Sequence, residues 1–167
     1  ADMEKISEKI YGSDNPAKVA IIYDKESKWA LNQSQGPRNC GLDYDNLCAQ
    51  YYKYFWQNGI GVDVLDSRSD FEDYKIVIAP LLYMFHNDIQ QKMRNFVERG
   101  GILLSTAFSG VVDENDFCFL GEATQEKLSD VLGMWVEETD ALFDEEANET
   151  SWNQNTYKLK EICEVIH

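Results

Sequence analysis

Gly100-Gly101-Ile102-Leu103-Leu104-Ser105-Thr106-Ala107-Phe108-Ser109-Gly110-Val111-Val112-Asp113-Glu114-Asn115-Asp116 is the stretch from which the fold is read. A glycine pair stops a helix, a short apolar run makes a strand, and the chain then opens into a turn of small residues followed by clustered acids. In open α/β sheets the working edge lies beyond the carboxyl ends of the parallel strands, so Thr106 to Asp116 is expected on that edge.

Outward toward the N-terminus, Val19-Ala20-Ile21-Ile22 is a continuous apolar run, as expected of a strand covered on both faces. Val62-Asp63-Val64-Leu65 and Tyr74 to Ala79 read as the second and third strands. Only Ser67 to Asp73 separate them, too short a link for a full crossover helix. Asp24 to Arg38 reads as a polar loop holding Trp29, Ala30 and Leu31, and it lacks the glycines that cradle phosphate. Asp43 can cap a helix over Tyr44 to Gln57 that Asn58-Gly59 stops. Tyr44, Leu47, Cys48, Tyr51 and Phe55 form its apolar stripe, and Tyr52 and Trp56 add a second flank suited to core burial or to a subunit contact. Ile89, Met93, Phe96 and Val97 make an amphipathic stripe ahead of Gly100, with Asn87 and Gln90 at capping-box spacing. Met3, Ile6, Ile10 and Tyr11 mark an entering helix before the Gly12 to Pro16 break.

Toward the C-terminus, Leu128, Val131 and Leu132 mark a helix stopped by Gly133, and Met134 to Glu137 reads as a fifth strand. Asp140 to Glu149 is acidic and expected to be mobile, and Thr156 to Ile166 reads as one terminal strand. The alternating order predicts a three-layer α/β/α sandwich with a mainly parallel, flavodoxin-like sheet. Residues 1–17 are expected to be an entering helix and linker, 18–142 the main domain, and 143–167 an acidic loop and terminal strand. A chain ending on such a strand is expected to be a piece of something longer.

The formal net charge of −15 argues against nucleic-acid or anionic-membrane partners. No apolar run nears the roughly 20 residues of a membrane span, and no leader pattern opens the chain, so a cytoplasmic location is expected. Cys40, Cys48, Cys118 and Cys163 lack metal-site spacing and read as free thiols. Asp113, Glu114 and Asp116 could ligate a hard cation, but a solvated turn, or one bonding nearby backbone N–H groups, is the favoured reading, and neither metal nor cofactor is expected.

A doubly wound sheet of this kind is similar to class I glutamine amidotransferases, whose nucleophilic cysteine sits on the turn after a central strand. Here that turn is Thr106-Ala107-Phe108-Ser109-Gly110, without cysteine. A nucleophile at Ser105 or Ser109 needs a base, and neither His86 nor His167 lies in a motif that supplies one.

The ordered set Val19-Ala20-Ile21-Ile22-Tyr23-Asp24, Ser27-Lys28-Trp29-Ala30-Leu31, Gly61-Val62-Asp63-Val64, Asp73 to Tyr83, Gly100-Gly101 and Ser109 to Asp116 resembles the middle domain of family 42 glycoside hydrolases, the β-galactosidases. The resemblance runs from Lys18 to Leu142. It implies a non-catalytic trimerisation domain with an amidotransferase-like fold. Its partners would be copies of itself in a homotrimer and a catalytic TIM barrel on the parent chain, which supplies the two carboxylates of a retaining mechanism. Asp24, Trp29, Ser109, Asp113, Glu114, Asn115 and Asp116 are then candidates for contact with the barrel or a ligand, and Tyr52 and Trp56 for the subunit contact. The family pattern continues past Leu120-Gly121 with a second glycine and a Tyr-Pro-Gly-like turn, where this chain has Glu122-Ala123-Thr124-Gln125-Glu126. The alternatives are a free-standing domain binding a small metabolite or sugar at that edge, and a hydrolase using Ser105 or Ser109. The isolated chain is expected to be monomeric or weakly associating.

Overall fold

Val19-Ala20-Ile21-Ile22 is strand β1, paired on both of its edges and buried along its whole length because both of its faces are covered. The computed structural model describes residues 2–13, 16–34, 42–86, 88–119 and 126–167. In chain order the elements are α1 (Asp2–Ile10), β1 (Val19–Ile22), α2 (Lys25–Gln33), α3 (Tyr44–Gln57), β2 (Val62–Leu65), β3 (Ile76–Ala79), β4 (Met84–Phe85), α4 (Ile89–Glu98), β5 (Ile102–Ser105), β6 (Val112–Asp113), α5 (Glu126–Leu132), β7 (Val136–Ala141), β8 (Asn148–Trp152), β9 (Asn155–Leu159) and β10 (Ile162–Ile166). The central sheet is parallel in the order β2-β1-β3-β5.

Strand alternation sends Ala20, Ile22, Val77 and Ala79 to one face, where Ile89, Met93 and Phe96 of α4 and Leu128 of α5 cover them. Val19, Ile21 and Ile78 face the other way, against Tyr51 and Phe55 of α3. Helices therefore lie on both faces, as the β-then-α order predicts. The short link between β2 and β3 passes β1 as turns rather than a helix, and it contributes Phe71, fully enclosed and edge-on to Phe96 at 5.7 Å between centroids. Burying each such ring stabilises the fold by roughly 1.5–3 kcal/mol.

Three local expectations are corrected. Lys25–Gln33 is a helix rather than a polar loop: Asp24 caps it by accepting from Ser27 N at 2.6 Å, and Ser27, Ala30 and Leu31 turn inward. The segment after α5 does not extend the parallel sheet, since β7 pairs antiparallel with β10 in a sheet of two. The acidic stretch and the presumed single terminal strand resolve into the end of β7, a hairpin of β8 and β9, and β10. β8 and β9 are exposed at every position. Cys48, Cys118 and Cys163 are free thiols. Cys40, Asn87 and all of the departing segment except Glu126, the first residue of α5, lie outside the described residues; α4 begins after Asp88, whose side chain makes no capping bond.

Candidate functional site

The turn after β5 is built around backbone strain. Phe108 holds φ +62, a conformation few non-glycine residues adopt, and Gly110 follows at φ +66. Three contacts hold it there. Glu164 of β10 accepts from Phe108 N at 2.8 Å, Ser109 Oγ donates to Thr106 O at 2.8 Å, and Tyr83 packs its ring 5.3 Å from that of Phe108. Gly110 cannot carry a side chain, because a Cβ would lie 2.6 Å from the Phe85 ring. Ser109 is buried, so its hydroxyl faces the turn's own backbone rather than solvent. Both histidines are engaged elsewhere: His167 stacks on Trp135 with Nε2 2.5 Å from Glu137 Oε2, and His86 lies beside Asp24.

The acids beyond the turn divide by role. Asp113 Oδ1 accepts from Asn115 N at 2.8 Å and from Phe117 N at 3.0 Å, so this carboxylate shapes its own loop. Glu114 and Asp116, with Asp116 at φ +63, reach a shallow cleft of about 280 Å³ shared with Glu26, Trp29, Gln33 and Met84. Trp29 is 61% exposed there. It projects from α2 rather than from a strand-end loop, and the helix brings it to the acidic turn. The structure thus gathers Trp29, Glu114 and Asp116, with Asn115 exposed beside them.

Asp24 has a different place. It is wholly enclosed, with one carboxylate oxygen on Ser27 N and the other accepting from Ser67 Oγ, while His86 Nε2 stands 3.4 Å away. Its backbone N–H donates to the Tyr44 hydroxyl at 2.8 Å, and burial pushes the Tyr44 pKa up. Asp24 therefore ties β1, α2 and α3 together from beneath the edge and cannot touch a partner directly. Above it, Arg68 pairs with Glu26 at 2.5 Å and approaches His86 Nδ1 at 3.4 Å. A guanidinium only donates, so Nδ1 accepts and the proton of a neutral ring sits on Nε2, between Asp24 and Glu26. Sequence reasoning missed Ser67, Arg68 and His86 as one cluster. The one signal available was Asp24 three residues before Ser27, the spacing of a helix cap.

Tyr52 and Trp56 lie on the outer flank of α3, 39% and 66% exposed. Tyr52 also borders a largely apolar groove of about 340 Å³ with Ile21, Cys48 and Val64, where β2 forms an edge of the sheet. Burial pushes the Cys48 thiol up to about 11, which keeps it protonated and inert at neutral pH. The second flank of α3 is therefore surface, not core.

Comparison with known proteins gives one consistent result. Residues 17–167 match the family described as the β-galactosidase trimerisation domain. The chain is 41% identical over 165 residues to β-galactosidase Pbg of Clostridium perfringens, covering 95% of this chain and 24% of that protein. It is 39% identical over 163 residues to β-galactosidase BglY of Alicyclobacillus acidocaldarius, covering 93% and 24%. Among solved structures, Gan42B, a family 42 β-galactosidase from G. stearothermophilus, superposes with a TM-score of 0.89 at 38% identity over 99% of this chain and 24% of that one. The β-galactosidase from Rahnella sp. superposes at 0.86 with 41% identity, over 98% and 25%. The chain spans about a quarter of the length of each of these four relatives.

Proposed function

The chain belongs to the trimerisation-domain family of β-galactosidases, and on that premise we propose that its work is to assemble a longer enzyme whose chemistry lies elsewhere. The turn after β5 carries this reading. That turn carries no cysteine, its left-handed position is Phe108, the neighbouring Ser109 hydroxyl is turned into its own backbone, and neither histidine stands by it.

The parent is proposed to hydrolyse terminal β-galactosides as a cytoplasmic homotrimer. Its retaining mechanism would use two carboxylates of a TIM barrel outside these residues. Trp29, Glu114, Asn115 and Asp116 would meet that barrel, with Asp113, Ser109 and Asp24 holding the edge in shape. Tyr52 and Trp56 would face a neighbouring copy. A second reading, a small sugar bound on the Trp29 cleft, is favoured by the exposed indole lying beside carboxylates and the Gln33 amide.

The test is to incubate the 167-residue chain with a nitrophenyl β-galactoside and, separately, with a serine-directed phosphonate. No turnover and no label are expected. Turnover or stoichiometric labelling at Ser105 or Ser109 would overturn the reading, and saturable binding of galactose that Trp29→Ala abolishes would favour the second.

A further inference from the structure

The β8–β9 hairpin is an arm with a bare apolar face. Its register places Asn148 opposite Leu159, Thr150 opposite Tyr157 and Trp152 opposite Asn155 on one face, and Glu149 opposite Lys158 and Ser151 opposite Thr156 on the other. The first face therefore carries Trp152, Tyr157 and Leu159 with no charged residue, and these three are 70%, 48% and 38% exposed. Asn153 and Gln154, at φ 48 and 67, close it with the two-residue turn that matches strand twist. At its base Asn148 Nδ2 lies 3.6 Å from Cys163 Sγ on β10. A two-stranded hairpin is marginal in water without something against one face.

We infer that the apolar face of this hairpin, Trp152, Tyr157 and Leu159, docks on a second copy of the domain in the assembled parent. The inference rests on the assembly reading above. Two observations select the occupant. Five residues of paired strand span roughly 17 Å by 10 Å, far below the roughly 800 Å² per partner of a stable interface, so the arm cannot hold a free partner and must work inside a larger contact. The chain carries a net charge of −15, so two copies repel wherever carboxylates meet, and a charge-free aromatic face is where an equally acidic copy can approach at least cost.

The experiment is hydroxyl-radical footprinting of the full-length parent, read at Trp152 and Tyr157 by mass spectrometry over a dilution series that spans dissociation of the trimer. Protection that appears with the trimer and is lost on dilution is expected, and Trp152→Ser with Tyr157→Ser should weaken assembly at least tenfold while leaving the melting temperature of the fully dissociated subunit unchanged. Protection already complete in the monomer would overturn the inference, because the arm would then lie on the rest of its own chain. Trp152 and Tyr157 still open in an intact trimer would overturn it while leaving the assembly reading in place. A parent that never forms a trimer would sink both.

Discussion

Glu164 joins the terminal strand pair to the strained turn through its hydrogen bond from Phe108 N. Burial pushes its pKa up, against the opposing pull of that bond. The folded state therefore binds this proton more tightly than the unfolded state. Stability from this group is fully present below the unfolded carboxyl value and is lost as pH rises through the raised folded value. Glu164→Gln keeps an acceptor for Phe108 N–H and removes the titration. Its stability should not fall across that window, and at neutral pH it should equal or exceed that of the parent sequence in urea unfolding. Asp24 behaves oppositely under truncation. Asp24→Ala removes a helix cap and leaves Ser67 and His86 facing a void, at a cost of about 2–4 kcal/mol in the same measurement. The sequence shows an acid at the end of β1, which is why Asp24 reads as an edge contact. That Ser67 and His86 close over it depends on three loops meeting in space, and no local pattern carries that.

Among the elements, the turn from β5 to β6 tolerates little change. Gly110→Ala would force a side chain into the left-handed region and against Phe85, costing at least about 1–3 kcal/mol, to be read from chemical denaturation. The strand carrying this turn was legible because Gly100-Gly101 and the apolar run after it bracket it. α3 was legible down to its caps, since Asp43 accepts from Asn46 N and Asn58 ends the helix. α2 was not: it buries only Ser27, Ala30 and Leu31, too little apolar surface to signal a helix over its polar remainder. The hairpin was missed for a related reason. Its turn is Asn153-Gln154 rather than Asn-Gly, and β8 holds Trp152 as its single large apolar residue, so neither the turn chemistry nor the alternation signals a strand pair. The fifth strand, expected over Met134 to Glu137, overlaps β7 only at Val136 and Glu137, and sequence order says nothing of whether a late strand extends the sheet or folds back on β10.

At the scale of the whole molecule, exposed apolar side chains on the outer flank of α3 and on the arm lie on separate elements. A cyclic trimer is closed by two different patches meeting head to tail, and these are two surfaces that could take those roles. Its acidity opposes contact at low salt, so association should strengthen as salt screens the charge. The most direct measurement is the mass by light scattering of the full-length parent at moderate salt, beside the same protein carrying Tyr52→Ser and Trp56→Ser. Both positions are exposed, so folding stability should change by less than about 0.5 kcal/mol each. The account predicts three times the subunit mass for the parent and a single subunit mass for the variant at the same micromolar concentration. Equal masses for the two proteins, across the whole concentration series, would contradict it.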